Sequence, residues 1–181
     1  MNRRRAMSLL EVTIVILILG LLSAVAAPRF NATLQSMELQ AATQQLVAHL
    51  RYVRQVAMNE GRTTTIQFDT VAATYSSDSV DFPHLRGDKL FVDLAREFEG
   101  TLSLKADFDS STELSFNFEG VPFVGDTPLV VGQIILSVGD AQREIEITPG
   151  TGQIQSERVA SVDDLFAGVL AAASIILGAA R

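Results

Sequence analysis

Arg3-Arg4-Arg5-Ala6-Met7-Ser8-Leu9-Leu10-Glu11-Val12-Thr13-Ile14-Val15-Ile16-Leu17-Ile18-Leu19-Gly20-Leu21-Leu22-Ser23-Ala24-Val25-Ala26-Ala27-Pro28 runs from three arginines into an apolar stretch, Met7 to Ala27, interrupted by one carboxylate. Wound as a helix, that stretch is long enough to cross a hydrocarbon core of about 30 Å. Glu11 is the residue out of place. A carboxylate in a spanning helix costs roughly 2.5 to 3.5 kcal/mol at the bilayer centre and less near its end, so it calls for a partner. Two plainer readings compete. A secretory signal peptide shares the basic start, and Ala24-Val25-Ala26 imitates its cleavage site, but its apolar core spans only about 7 to 15 residues and holds no carboxylate. A plain signal anchor accounts for the arginines, which keep the N-terminus cytoplasmic, and leaves Glu11 unexplained.

After Pro28 the helical pattern continues. Leu34, Met37, Ala41, Ala42, Gln45, Leu46, His49, Leu50, Val53, Val56 and Ala57 recur mostly at three- and four-residue spacings, with Glu38, Gln40, Gln44, Arg51, Arg54 and Gln55 between them. This is an amphipathic stripe, and Gly61 after Asn59-Glu60 marks its C-terminus. The period then changes to alternating, β-branched segments: Thr63 to Asp69, Ala72 to Ser76, Lys89 to Asp93, Thr101 to Ala106, Glu113 to Phe118, Leu129 to Val138, Arg143 to Thr148 and Gln153 to Gln155. Gly100, Gly120, Gly125 and Pro149-Gly150-Thr151-Gly152 punctuate them, and Gly139-Asp140 fits a two-residue hairpin turn. One long helix followed by antiparallel strands predicts an α+β architecture, with the amphipathic half of the helix laid on a sheet.

The N-terminal spacings resemble the leader of type IV prepilins and type II secretion pseudopilins. In that superfamily a short basic leader ends in a small residue, a prepilin peptidase cuts before the apolar run, and the new N-terminus is methylated. The resemblance implies a leader of Met1 to Ala6, cleavage between Ala6 and Met7, N-methylation of Met7, and Glu11 and Pro28 at mature positions five and twenty-two. Ala6 replaces the usual Gly before the cut, Met7 the usual Phe, and Ser8 the common Thr. The passage Leu50-Arg51-Tyr52-Val53-Arg54-Gln55-Val56-Ala57-Met58-Asn59-Glu60-Gly61-Arg62 into Thr63-Thr64-Thr65-Ile66-Gln67-Phe68, with Ile147-Thr148-Pro149-Gly150-Thr151-Gly152-Gln153-Ile154, is similar to the GspH/FimT minor pseudopilin family. The expected organisation is a basic leader at 1–6, a transmembrane helix carrying the N-methylation motif at 7–28, an amphipathic continuation at 29–61, an antiparallel β domain at 62–160 and an apolar C-terminal helix at 161–181. The resembling family does not usually end with such a segment; Leu165 to Ala180 is shorter than the roughly 20 residues of a spanning helix, which leaves open a membrane-inserting helix, a helix packed on another subunit and a buried terminal helix.

The rest of the composition narrows the chemistry. The formal charge is −7 and includes the three leader arginines, so removing them gives −7 − 3 = −10, a balance that disfavours a nucleic-acid surface. Without cysteine there is neither a disulfide framework nor a thiol nucleophile. His49 and His84 show no metal-ligand spacing. Asp107-Phe108-Asp109 with Ser110, Ser111 and Glu113 offers oxygen ligands without an EF-hand pattern, and Pro149-Gly150-Thr151-Gly152 lacks the lysine of a phosphate loop. No catalytic constellation, cofactor or metal site is expected.

The reading is therefore a non-enzymatic minor pseudopilin of a type II secretion system. It is held in the inner membrane with a cytoplasmic N-terminus and a periplasmic body, and it assembles into a periplasmic filament. Its implied partners are prepilin peptidase, other pseudopilins, the inner-membrane secretion platform and membrane lipid. Two alternatives stand beside it: a FimT-like minor type IV pilin in DNA uptake, which requires Arg51, Arg54, Arg62, Arg86, Arg143 and Arg158 to form a basic surface, and a plain membrane-anchored binding domain.

Overall fold

The computed structural model describes residues 9–83, 85–98, 102–139 and 141–158, and the side chains of 24–32, Leu85, Arg86 and Arg158 are not among the described ones. Helix α1 runs Leu9–Glu60. Among the described residues ten strands follow, in two antiparallel sheets. The first contains β1 (Thr64–Asp69), β2 (Thr74–Phe82), β3 (Leu85–Asp93), β5 (Glu113–Phe116), β6 (Pro122–Val124) and β7 (Thr127–Pro128), in the order β3-β2-β1-β5-β6-β7. The second contains β4 (Leu102–Phe108), β8 (Gly132–Val138), β9 (Ala141–Ile147) and β10 (Ile154–Arg158), in the order β10-β9-β8-β4. A one-turn helix, α2 (Leu94–Glu97), leaves β3 and is capped by the Asp93 carboxylate, which accepts the Arg96 amide at 2.9 Å. The architecture is α+β, as the sequence pattern predicts.

The chain divides into two compact units, Met1–Met37 and Glu38–Arg181, with α1 contributing to both. In the second unit the core follows directly from side-chain periodicity. On α1, Leu39, Ala42, Leu46, Leu50, Val53 and Ala57 are buried, at three-, four- and seven-residue steps along one helix face. Ile66 and Phe68 on β1, Leu104 and Phe108 on β4, Ile134, Leu136 and Val138 on β8, and Ile145 and Ile147 on β9 alternate inward and join the same cluster. Phe68 and Phe108 meet with ring centroids 5.4 Å apart and so tie the two sheets together. Each such fully buried side chain contributes roughly 1.5 to 3 kcal/mol.

The stripe on α1 differs in detail from its sequence reading. Leu39 and Val47 are buried, whereas Leu34, Met37 and Ala41 are exposed. Thr43 is buried too, and its hydroxyl donates to the Leu39 carbonyl one turn back, which removes the penalty for a polar group there. Helix α1 ends where Gly61 takes φ +64, the left-handed conformation of a helix stop, and the Arg62 amide donates back to the Ala57 carbonyl.

Candidate functional site: an assembly helix and an arginine-pinned body

Within the first unit, every described side chain from Leu9 to Ser23 is exposed. Leu9, Leu10, Val12, Ile14, Val15, Ile16, Leu17, Ile18, Leu19, Leu21 and Leu22 point outward around the whole circumference of the helix. A helix apolar on all sides needs cover from lipid or protein. Its hydroxyls are already satisfied within the helix, Thr13 donating to the Leu10 carbonyl and Ser23 to the Leu19 carbonyl, each at 2.8 Å. Glu11 sits in the first turn and makes no hydrogen bond or ion pair among the described residues. Ala6 and Met7, the expected cleavage and methylation positions, lie outside the described residues, as does the apolar segment 165–180. Pro28 falls within the span of α1. Among the described residues no helix is long and apolar enough to cross a membrane; the described side chains of this apolar stretch run from 9 to 23.

In the second unit, two arginines on successive turns of α1 anchor the glycine-rich turns. Arg54 Nε donates to the Gly120 carbonyl at 2.9 Å and its Nη2 to the Thr151 carbonyl at 2.8 Å. Arg51 Nη2 donates to the Ile154 carbonyl at 2.9 Å. A guanidinium suits this work because its donors are fixed in a planar fork and stay charged at any working pH. The glycines are required by what surrounds them: a Cβ on Gly152 lies 2.3 Å from the Gly120 carbonyl oxygen and 3.0 Å from Arg54 Nε, and one on Gly120 lies 2.8 Å from Met58 Sδ.

This geometry bears on nucleic-acid binding. Arg62 donates to the Ser79 carbonyl and pairs with Glu60, so three of the six arginines a basic surface would need are turned to groups of their own chain. Arg143 stands opposite Arg158 in the β9–β10 pairing, but Glu144, Glu146 and Glu157 line the same two strands. The oxygen-rich loop is likewise occupied. Asp109 accepts the Val130 and Val131 amides, each at 2.9 Å, and Asp107 accepts the Ser110 amide at 2.8 Å. These carboxylates lock turns together, and no group of three or more potential metal ligands occurs among the described residues. His84 lies outside the described residues.

His49 is set into the helix–sheet contact beside Tyr75. Its Nδ1 lies 2.7 Å from the Tyr75 hydroxyl, and its ring meets Phe82 edge-on at 5.9 Å. Burial pushes its pKa below the ordinary 6.5, with Glu97 pulling the other way. Burial also pushes the Tyr75 phenol far above its usual range, so it stays protonated. A folded-state pKa below the unfolded one means that neutral His49 contributes stability above pH 6.5, and that this contribution is lost as pH falls from 6.5 through the folded value. Thermal midpoints of the native chain are therefore expected to decline between pH 6.5 and 5, and His49→Gln to remove that part of the decline. Asp81, held below its ordinary value by Lys89, contributes only to losses at pH under 3.8. Parallel pH profiles for native and substituted chains would contradict the assignment.

The sequence model of the family described as type II transport protein GspH matches residues 42–151. No curated protein matches the chain. Among solved structures, the type IV minor pilin FimU of Pseudomonas aeruginosa superposes with a TM-score of 0.51 at 24% identity, covering 70% of this chain and 96% of FimU. The minor pseudopilin EpsH from the type 2 secretion system of Vibrio cholerae superposes with a TM-score of 0.50 at 12% identity, covering 67% of this chain and 97% of EpsH. These two structures share the fold: a helix leading into an antiparallel β body. The family match extends over more than half of the 181 residues, from the buried face of α1 through the strands to the turn that Arg54 holds, and the chain belongs to the GspH family of pilin-like subunits.

Proposed function

We propose that the chain is a minor pseudopilin of a type II secretion system, acting by assembly into a short filament rather than by catalysis. The observation that carries this reading is the outward-facing apolar surface of α1 from Leu9 to Leu22 with the carboxylate of Glu11, unpaired among the described residues, set in it. In this reading a prepilin peptidase cuts between Ala6 and Met7, and Met7 becomes the N-methylated first residue. The 7–28 helix waits in the inner membrane, and the body stands in the periplasm. On assembly, lipid around Leu9 to Leu22 is exchanged for the helices of neighbouring pseudopilins. Glu11 then meets the Met7 ammonium of a neighbour, which turns an isolated charge in a low-dielectric setting into a pair. Pro28 and Gly20 are weak helix points where the helix loosens as it leaves the membrane.

The exposed side of α1 in the body supports the same reading. Gln40, Ala41, Gln44, Ala48 and Gln55 are exposed and uncharged, and the guanidinium of the exposed Arg51 is drawn to its own sheet. An acidic chain thus presents a helix face without free charge, which lets like copies approach. Removing the chain from its host and measuring both protein secretion and pilus display tests the assignment. Loss of secretion with pili intact is the expected result; loss of pili or of DNA uptake with secretion intact points to the minor-pilin alternative.

A further inference from the structure

We infer that two copies of this chain pair edge to edge through β3, antiparallel and centred on Phe91, so that their first sheets join into one. The contact involves the body and is independent of the proposed use of α1. β3 is the last strand of its sheet, and its outer edge has no partner strand among the described residues. Such an edge is a template for another strand unless something blunts it. The other edge strands are blunted: β7 is two residues long and includes Pro128, β10 ends on Glu157 and Arg158, and β4 turns Lys105 to solvent. In β3, Leu90-Phe91-Val92 runs apolar along the edge, with Phe91 58% exposed.

The hydrogen-bond phase of β3 leaves the groups for this pairing free. The Leu94 amide donates to the Ala73 carbonyl at 3.1 Å, and the register pairs Asp93 with Thr74, Val92 with Tyr75, Phe91 with Ser76 and Leu90 with Ser77. Bonded and non-bonded pairs alternate along an antiparallel ladder, so Val92 and Leu90 direct their backbone groups to β2 while Phe91 and Asp93 turn theirs to the open edge. Side chains alternate as well: Leu90 and Val92 are buried, and Lys89, Phe91 and Asp93 share the outer face. Laid against itself about Phe91, the stretch is self-complementary, as a two-fold contact requires. Phe91 meets the partner's Phe91, Leu90 meets the partner's Val92 on the inner face, and Lys89 stands opposite the partner's Asp93 at both ends. A slip of one residue would set Asp88 against the partner's Asp93 and turn buried side chains outward. Both charged groups have capacity to spare. The Lys89 pair with Asp81 is exposed at both ends, and an ammonium has three donors; Asp93 caps α2 through Oδ1 alone. A cavity of about 480 Å³ lined in part by Phe82, Phe91 and Val92 lies along the same edge, with room for the partner's Leu90.

The chain holds no cysteine, so a single introduced thiol can form a disulfide only with its own copy. The test is oxidation by copper phenanthroline of single-cysteine variants of the full chain in phosphatidylcholine vesicles. Phe91→Cys, at the two-fold axis, is expected to dimerise roughly tenfold faster than Val71→Cys, because pairing holds its thiols at high effective concentration. Val71 is 95% exposed in the turn after β1 and measures chance collision. Lys89→Cys, on the same face but roughly 14 Å from its own copy by strand spacing, is expected to stay near the Val71→Cys rate. Adding Lys89→Glu to Phe91→Cys sets like charges opposite each other at both ends and is expected to slow the crosslink roughly fivefold. In the unsubstituted chain, amide exchange at Phe91 and Asp93 is expected to slow as protein density in the vesicles rises. A Phe91→Cys rate no greater than that of Val71→Cys, or one unmoved by Lys89→Glu, would overturn the pairing. So would a Lys89→Cys rate equal to that of Phe91→Cys, or exchange at Phe91 and Asp93 that ignores protein density.

Discussion

Gly152→Ala is expected to lower stability by roughly 2 to 5 kcal/mol, combining the strain of a non-glycine residue in the left-handed region with overpacking. Gly152 sits at φ +64, and the added carbon would lie 2.3 Å from the Gly120 carbonyl oxygen, well inside contact distance. Neither side can yield cheaply. The Gly120 carbonyl is held by Arg54, and the turn of Gly152 is held by the Thr151 bond to the same guanidinium. Relief of the clash therefore breaks the link between α1 and the closing turn. Gly150 provides the comparison: it has φ +76 but open space around it, so Gly150→Ala carries only the backbone term of roughly 1 to 2 kcal/mol. Chemical denaturation of both variants separates the two contributions. Against a typical total of about 5 to 15 kcal/mol, Gly152→Ala is expected to shift the midpoint far more than Gly150→Ala, and equal shifts would show that the Arg54-held turn does not act as a rigid clasp.

Glu11→Ala is expected to leave folding and leader removal intact while abolishing assembly. Glu11 lies far along the chain from the core residues Leu39 to Ile154 and makes no hydrogen bond or ion pair among the described residues that its loss would break. An apolar alanine should, if anything, rest more easily in lipid, since a carboxylate near the end of a spanning helix carries a cost that alanine lacks. What is lost is the charge pair with a neighbour's N-terminus, and leaving that partner charge buried and unpaired typically costs about 3 to 5 kcal/mol. At that size the fraction of subunits incorporated should drop by a factor of roughly a hundred or more. Filament fractionation and secretion assays on the variant read this directly. Wild-type secretion by Glu11→Ala would remove the charge-pair mechanism while leaving family membership untouched.

Much of the body was legible because its physics is local. The inward alternation of Ile134, Leu136 and Val138, the turn between Val138 and Ala141, and the helix stop at Gly61 each depend on a few adjacent residues. What the pattern hid depends on pairing across the chain. The second half of β2, Ser77-Asp78-Ser79-Val80-Asp81-Phe82, reads as polar loop, yet it is strand. Ser77 is buried because its hydroxyl donates to the Thr65 carbonyl, Ser79 accepts the Thr65 amide, and the β2–β3 register shifts between Ser77 and Asp81. Division into two sheets was not visible either, since strand order is a non-local property. One turn of helix at Leu94–Glu97 is too short to show a period.

The site was legible in a different way. Glu11 is conspicuous because it breaks an apolar run, and no fold is needed to see that. Arg51 and Arg54, in contrast, look from sequence like solvated charges on the polar side of a helix. Only the arrival of residues 120 and 151–154 at their guanidiniums gives them partners. Asp109 was deceptive for the same reason: a carboxylate in a Ser-rich loop offers a cation ligand on paper, while in the fold it is taken by two backbone amides from more than twenty residues away. His49 sits on the expected stripe, but its pairing with Tyr75 required the sheet to be in place.

The central claim, that this chain is processed and assembled through its first helix, is tested most directly by intact mass and N-terminal sequencing of the membrane-extracted protein produced together with a prepilin peptidase. A chain beginning at N-methylated Met7 is the predicted result. A chain still beginning at Met1, or one beginning near Ala27, would contradict it, the first pointing to a plain anchor and the second to a cleaved signal peptide.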